Sequence, residues 1–395
     1  LAPILRPAME VAAAMPVPPQ STPEGSSGRA HFKSFLQKSQ IDPKIYEEAT
    51  VTCRFIRVNP NLPNALTHED LQEIFGAGVV TPLPWLPKSL GFYSLPENIS
   101  LKSCSAYVDG RLYGMDVSSG AAVVALGVEP GHCVLDMCCA PGAKLCLLAD
   151  VMRRRGSLVG VDVSRDRLAI CRRLLSKYRV ERPPVELETV NGAWRCRVLC
   201  ADASTFHMGP LEETCPADAS LVFDSLSAEV EFAGRSGSKR MRMNKSARAR
   251  EAKRLRSLAS GGAVSTETTE GQDSVSPAQA QEGRDEQGAA RLYDRVLVDA
   301  ECTHDGSARH LVKLLGDADA DQRLRNSFEP EHLQELQRLQ RALLRNGYSL
   351  LCPGGILVYA TCSLARSQNE EVVEWLLERE PDASLVPIVF SSDGS

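Results

Sequence analysis

The chain has 395 residues, 43% hydrophobic and 24% charged, with a formal net charge of -5, the make-up of a globular protein with a large core. At roughly 150 residues per domain the length suits two or three units, and no apolar run approaches the ~18 to 20 residues of a membrane helix. Thirteen cysteines lie mostly in apolar runs and cannot all pair, which excludes a small disulfide scaffold and points to a reducing compartment inside the cell.

Residues 1–30 are rich in Ala, Pro, Ser and Gly without sustained periodicity and are predicted to be disordered. The first residue is Leu1 rather than Met, so an upstream start is expected. Only Arg6 and Arg29 are cationic there, and Glu10 and Glu24 interrupt the segment. That argues against a mitochondrial transit peptide and favours the nucleus, nucleolus or cytoplasm. Residues 31–110 combine a helical stretch at 68–75, a β-rich run at 51–58 and an apolar-aromatic segment at 85–95. They predict a small α+β unit, RRM-like, with Trp85 and Tyr93 in its core.

The remainder, 111–395, forms a second unit, and its rhythm changes from 131 onward. Short apolar runs at 133–137, 158–163, 198–201, 295–300 and 356–360 alternate with helical patterns at 143–154, 165–177 and 331–346, the last closed by Gly347. Runs of four to six residues, apolar throughout, suit strands buried on both faces. The predicted fold is α/β, a Rossmann-like, doubly wound, mostly parallel sheet. Residues 207–290 break the alternation and predict a largely disordered insertion between the third and fourth strands. Its tract 239–256 holds nine Lys or Arg in eighteen residues, with no aromatic. This fits attraction to phosphates, nuclear import or a merely solvated loop better than base stacking. The net charge of -5 averages that tract against an acidic remainder.

Three strand ends carry carboxylates. VLDMCCAPGAK (134–144) places Asp136 at the end of the first strand, and Ala140-Pro141-Gly142 then turns into a helix starting near Ala143. The turn has neither the Gly-x-Gly-x-x-Gly nor the Gly-x-x-x-x-Gly-Lys-Ser/Thr spacing that cradles phosphates, so a ligand without phosphates fits better. The second strand ends in VDVS (161–164), which makes Asp162 the ribose candidate, and the third in CADAS (200–204), which makes Asp202 the adenine candidate. Each Asp taken singly reads as a helix cap; together, with this turn, they suggest S-adenosylmethionine.

The fourth strand runs through VLVDAECT (296–303) and the fifth through VYATCS (358–363), so Cys302 and Cys362 share the carboxyl edge. Singly, each reads as a small buried hydrophobe. As a pair they suit a particular reaction. Carbon 5 of cytosine is too poor a nucleophile for a methylsulfonium until a thiolate adds to carbon 6, and a second group must then remove the carbon 5 proton. Asp299 is placed to stabilise the adduct through the ring nitrogen and amino group, and Lys144 to hold Asp299 or lower a thiol pKa. No Cys-x-x-Cys pair occurs, and no metal is expected.

These motifs, in this order, resemble the NSUN (Sun/Fmu) family of RNA (cytosine-5) methyltransferases over roughly residues 50–380, apart from the insertion. FIRVN (55–59) and LYGMDVSS (112–119) resemble the family's flanking amino-terminal motifs. The resemblance implies a class I methyltransferase fold, with Cys362 as the nucleophile on carbon 6 and Cys302 assisting release. It also implies a cofactor site of Cys139, Ala140, Pro141, Gly142, Ala143, Lys144, Asp162, Arg167, Asp202 and Asp299. DNA cytosine-5 enzymes use the fourth-strand cysteine instead, so the pair favours RNA, either tRNA or rRNA, with the base flipped into the site. Arg57 and Asn59 are then candidate RNA contacts of the small unit, and a monomer is expected. Two departures stand out. Glu301 replaces the family's usual Pro and is expected to raise the Cys302 pKa. The chain also ends at Ser395 without the family's DGFF-like closing motif, so further carboxyl-terminal residues are expected. Glu301 and the basic tract keep open an alternative, an RNA-binding assembly factor with little catalysis. Methylation of a protein or small molecule would leave both cysteines unexplained.

Overall fold

The computed structural model describes residues 27–47, 53–60, 62, 64–181, 194–226, 292–307, 310 and 319–388. In chain order the elements are α1 (Gly28–Lys38), α2 (Lys44–Glu47), β1 (Cys53–Val58), α3 (His68–Phe75), β2 (Thr81–Pro82), β3 (Phe92–Pro96), α4 (Ser105–Val108), β4 (Leu112–Gly114) and α5 (Val117–Leu126). There follow β5 (Cys133–Asp136), α6 (Ala143–Val151), β6 (Gly156–Asp162), α7 (Arg165–Lys177), β7 (Trp194–Cys200) and β8 (Ser220–Asp224). The chain closes with β9 (Tyr293–Asp299), α8 (Ala320–Phe328), α9 (Pro330–Ser349), β10 (Leu351–Ala360) and α10 (Glu370–Leu377).

A four-stranded antiparallel sheet, β2-β3-β1-β4, forms the small unit. Ile56, Leu71, Leu95 and Leu112 are its buried centre. The α3 helix starts where the sequence places it, because Thr67 and Asp70 form a reciprocal capping box. The expected boundaries of the unit shift at both ends. Strand β4 lies beyond residue 110 yet pairs with β1. Helix α1 starts inside the span read as disordered and packs Phe35 and Leu36 against Leu324 and Phe328 of α8, far along the chain. Gly28 allows this approach, since a Cβ there would lie 1.9 Å from the Asp321 carbonyl oxygen. Residues 1–26 lie outside the described part. Trp85, expected in the core, is 40% exposed; the small unit fills its core with aliphatic side chains instead.

The larger sheet has the order β10-β9-β5-β6-β7-β8. Its first five strands are parallel and β8 runs antiparallel to β7. Apolar residues of β5 alternate between two cores, Val134 on one face and Cys133 and Leu135 on the other, which is why the strands read as continuous apolar runs. Two expectations are corrected here. The insertion does not begin at 207, because 220–224 pair with β7 as a sixth strand; residues 227–291, with the basic tract, lie outside the described part. Gly347 does not stop its helix, which continues to Ser349. Its missing side chain lets α9 sit against the sheet, since a Cβ would meet Met137 Sδ at 2.8 Å.

Arg57 and Asn59 do not face a ligand. Both are 1% exposed. Arg57 pairs with Asp150 of α6, whose carboxylate also accepts from the Tyr113 hydroxyl at 2.9 Å, and Asn59 Nδ2 donates to the Gly110 carbonyl at 3.1 Å. Arg57 fastens the small sheet to α6, and Asn59 holds the turn before β4 within the small unit. Among the described residues no helix is long and apolar enough to cross a membrane.

Candidate active site at the carboxyl edge of the sheet

Register aligns the strand ends. Asp136 lies beside Gly160 and Leu297, Asp162 beside Cys200, and Asp299 beside Ala360. The turn after β5 passes through a cis Ala140–Pro141 bond to Gly142, whose φ of +107° and 2.8 Å approach of a virtual Cβ to Cys171 Sγ leave no room for a side chain. The helix start then projects Lys144, whose ammonium donates to Asp299 Oδ2 at 2.6 Å. Burial works against that ammonium, but Asp299 outweighs it and holds the Lys144 pKa above its ordinary value.

Asp162 is 4% exposed and organises the turn. Its Oδ2 accepts from the Ala140 amide at 3.2 Å, its Oδ1 accepts from the Ser164 amide at 2.9 Å, and Arg167 Nη1 lies 3.6 Å away. Arg167 also donates to the Ala140 carbonyl at 2.5 Å. Asp202 is exposed, with Oδ1 accepting from the Ser204 amide and hydroxyl at 2.9 and 2.7 Å. It lines an open hollow of about 290 Å³ together with Val163, Arg165, Ala201 and Ser220. Asp136 is 1% exposed. One of its oxygens accepts from the Cys138 amide at 3.3 Å, while Oδ2 has no protein partner. Burial, with Asp299 adding to it, pushes the Asp136 pKa up to about 7. A buried carboxyl oxygen without a partner and an open hollow between two strand ends are features a polar ligand would satisfy.

The two cysteines meet. Cys302 Sγ lies 3.0 Å from Cys362 Sγ and accepts from the Cys362 amide at 3.3 Å. A third member, not singled out by its sequence, joins them: His304 Nδ1 is 2.8 Å from Cys362 Sγ and 3.7 Å from Cys302 Sγ. Its only sequence signal is the Cys-x-His spacing after β9. His304 holds a φ of +57°, a left-handed conformation uncommon for a residue with a Cβ. Gln368 Nε2 donates to Thr303 Oγ1 at 2.9 Å, Asp305 Oδ2 accepts from the Leu364 amide at 2.9 Å, and the Gly306 amide donates to the Cys362 carbonyl at 2.9 Å. These bonds tie the two cysteine loops together.

The pair shares protons unequally. Hydrogen bonds from Cys362 and then His304 outweigh burial and pull Cys302 down to about 5. With Cys302 ionised, its hydrogen bond, burial and its charge push the Cys362 thiol far up. His304 is raised, first by its bond to Cys302, against burial, then by the charges of Cys302, Glu301 and Asp299. The arrangement therefore gives up one proton easily and the second with difficulty. This corrects the expectation that Glu301 raises Cys302. Glu301 is exposed, and two short-range donors beat one solvated charge.

The RsmB/F family model of 16S rRNA methyltransferases matches residues 123–186 and 247–395, more than half of the chain. The chain belongs to that family. It is similar to Ribosomal RNA small subunit methyltransferase F of Escherichia coli O17:K52:H18, 43% identical over 98 residues, 24% of this chain and 18% of the relative. The same protein of Klebsiella pneumoniae strain 342 is 42% identical over 98 residues, with the same coverage. The matched stretch thus spans less than a fifth of these family members' length. Two solved structures share the fold. NSun6 from Pyrococcus horikoshii with SFG has a TM-score of 0.50 at 15% identity and matches 90% of this chain and 87% of its own. PH0851 has a TM-score of 0.52 at 18% identity and matches 89% of this chain and 56% of its own.

Proposed function

We propose that this chain methylates carbon 5 of cytosine in RNA, with S-adenosylmethionine as donor and small-subunit ribosomal RNA as the substrate class. The observation that carries this reading is the convergence of Cys302 and Cys362, 3.0 Å apart, beside the Lys144–Asp299 pair. Membership in a 16S rRNA methyltransferase family supports the donor and the substrate class.

The residues at the strand ends fit the cofactor. Asp162 would serve its ribose hydroxyls, and Val163 and Asp202, in the hollow, its adenine. The turn 139–144 and the unpartnered oxygen of Asp136 would lie against the rest. When bound, the cofactor supplies an electrophilic methyl group on a sulfonium.

The thiol pair does the covalent work on the base. Transfer of the shared proton across the 3.0 Å contact puts the thiolate on Cys362, which forms a bond to carbon 6 and pushes an electron pair toward carbon 5. Asp299, held by Lys144, stabilises the ring nitrogen and amino group as charge moves onto them. Once carbon 5 carries the methyl group, Cys302, having released to solvent the proton it took from Cys362, or unprotonated His304 removes the carbon 5 proton; the pair from that C–H bond restores the ring double bond and Cys362 leaves as thiolate. Glu301, the motive for a non-catalytic reading, is exposed and leaves the thiols in contact. We read the chain as a monomer acting in the nucleus, nucleolus or cytoplasm.

The test is transfer of labelled methyl from the cofactor to ribosomal RNA, mapped by bisulfite sequencing. Wild type is expected to label cytosine, Cys362→Ala to lose transfer, and Cys302→Ala to accumulate a covalent RNA adduct. Full transfer by Cys362→Ala would overturn the reading.

A further inference from the structure

The three groups that the proposed reaction uses also form a set of metal-ligand donors. Cys302 Sγ, His304 Nδ1 and Cys362 Sγ lie within 4.8 Å of one another. Two sulfurs and an imidazole nitrogen are the preferred set of a soft divalent ion such as Zn²⁺. The loops that carry them are joined by the Gly306–Cys362 and Asp305–Leu364 hydrogen bonds, so the donors converge without a rearrangement of the backbone. Among the described residues the carboxylates Asp299, Glu301 and Asp305 act on this cluster, and Lys144 is engaged by Asp299. His304 is held in a left-handed conformation, and with that backbone its Nδ1 reaches both sulfurs.

We propose that Cys302, His304 and Cys362 form a binding site for one Zn²⁺-like ion, and that its occupancy silences the enzyme by engaging both thiols. Cys302 binds as the thiolate it already is, Cys362 gives its proton to solvent, the imidazole binds through unprotonated Nδ1, and no electron is transferred. Tetrahedral bonds of about 2.3 Å to sulfur would set the sulfurs about 3.8 Å apart. From 3.0 Å, that is a shift within reach of side-chain rotation. The fourth position is left to water. Binding needs only the geometry; silencing rests also on the proposed methylation, in which both thiols act.

The test uses the full chain, reduced and stripped with a chelator. Cd²⁺ is added and thiolate-to-metal charge-transfer absorption followed, and Zn²⁺ is measured by competition with a chromophoric chelator. One tight equivalent is expected in wild type. His304→Asn should weaken it about tenfold and Cys302→Ser with Cys362→Ser about a hundredfold or more, while circular dichroism and melting confirm that the variants fold. The other eleven cysteines are present in every variant, so the difference isolates this site. Affinity unchanged in His304→Asn and in the double variant, or no tight equivalent in wild type, would overturn the site. Stoichiometric Zn²⁺ is expected to abolish methyl transfer, with recovery on chelation; full transfer at saturation would overturn the silencing. A tight, variant-sensitive equivalent in a protein that shows no transfer even when metal-free supports the site and defeats the methylation reading instead.

Discussion

Helix α6 carries an ion pair at each end, and the two behave differently. At its start Lys144 meets Asp299 with side chains 20% and 32% exposed. Six residues later Asp150 meets Arg57 with both side chains 1% exposed. The inner pair is fully enclosed: Tyr113 donates to Asp150, Arg154 Nη2 lies 3.7 Å from its other oxygen, and the Arg57 guanidinium sits 4.2 Å over the Tyr113 ring. Burial opposes the Arg57 charge, yet Asp150 more than offsets it and keeps the guanidinium ionised. Nothing there is left for a ligand to touch. The outer pair keeps faces open beside two thiols and a half-buried imidazole. One short helix thus fastens two units at one end and presents reactive groups at the other.

Swapping the damage between the ends gives the largest expected effects. Asp150→Ala leaves Arg57 buried and unpaired and should cost about 3–5 kcal/mol in urea unfolding. Asp299→Asn should cost under about 1 kcal/mol of stability, since its partner can turn to water, while lowering methyl transfer by about a hundredfold or more. Equal losses of stability in both variants would erase the contrast.

Asp136 sharpens it next. Its folded pKa of about 7 lies above the ordinary 3.8, so the folded chain keeps a proton that the unfolded chain has released. Stability therefore falls as pH rises between those values. The upper limit is about 4 kcal/mol at pH 8, at about 1.4 kcal/mol per unit. Asp136→Asn should remove that slope and raise the melting temperature at pH 8 but not at pH 3.5; denaturation at several pH values decides it.

The thiol pair gives a smaller effect. Cys302 pulled down to about 5 predicts alkylation by iodoacetamide that stays fast from neutral pH to about 6 and falls below. Without the imidazole donor, His304→Ala should move that limb upward by a unit or more, which a pH profile of alkylation rates measures. The smallest shift belongs to Glu301→Gln. Removing one solvated charge should lower the His304 titration, followed by NMR, by less than about half a unit.

Legibility in the sequence tracked burial and spacing. The five parallel strands and helix α7 stood out because strands buried on both faces must be apolar throughout and a surface helix must be apolar on one side. Strand β8 was missed because an edge strand carries a weaker pattern: its residues alternate between exposed and half-buried before ending in Phe223 and Asp224. Helix α1 was missed because its partner, α8, lies almost three hundred residues away, and the cluster that buries Phe35 and Phe328 is built across that distance. In the site, Asp162, Asp202, Asp299 and both cysteines were legible as residues at or just past strand ends, and Lys144 as the start of the helix after the first turn. His304 was not, because a single histidine in a loop has no periodicity to betray it.

Residue order alone determined the α/β class, the carboxyl edge as the candidate site, and which acids and thiols lie along it, because a parallel sheet brings successive strand ends together. Tertiary structure decided what each group faces. It turned Arg57 from a contact into a fastening and Asn59 into a buried turn bond, put Glu301 into solvent, and set His304 beside two sulfurs. Burial and distance govern a charge or a proton, and neither is written in the spacing of residues along the chain.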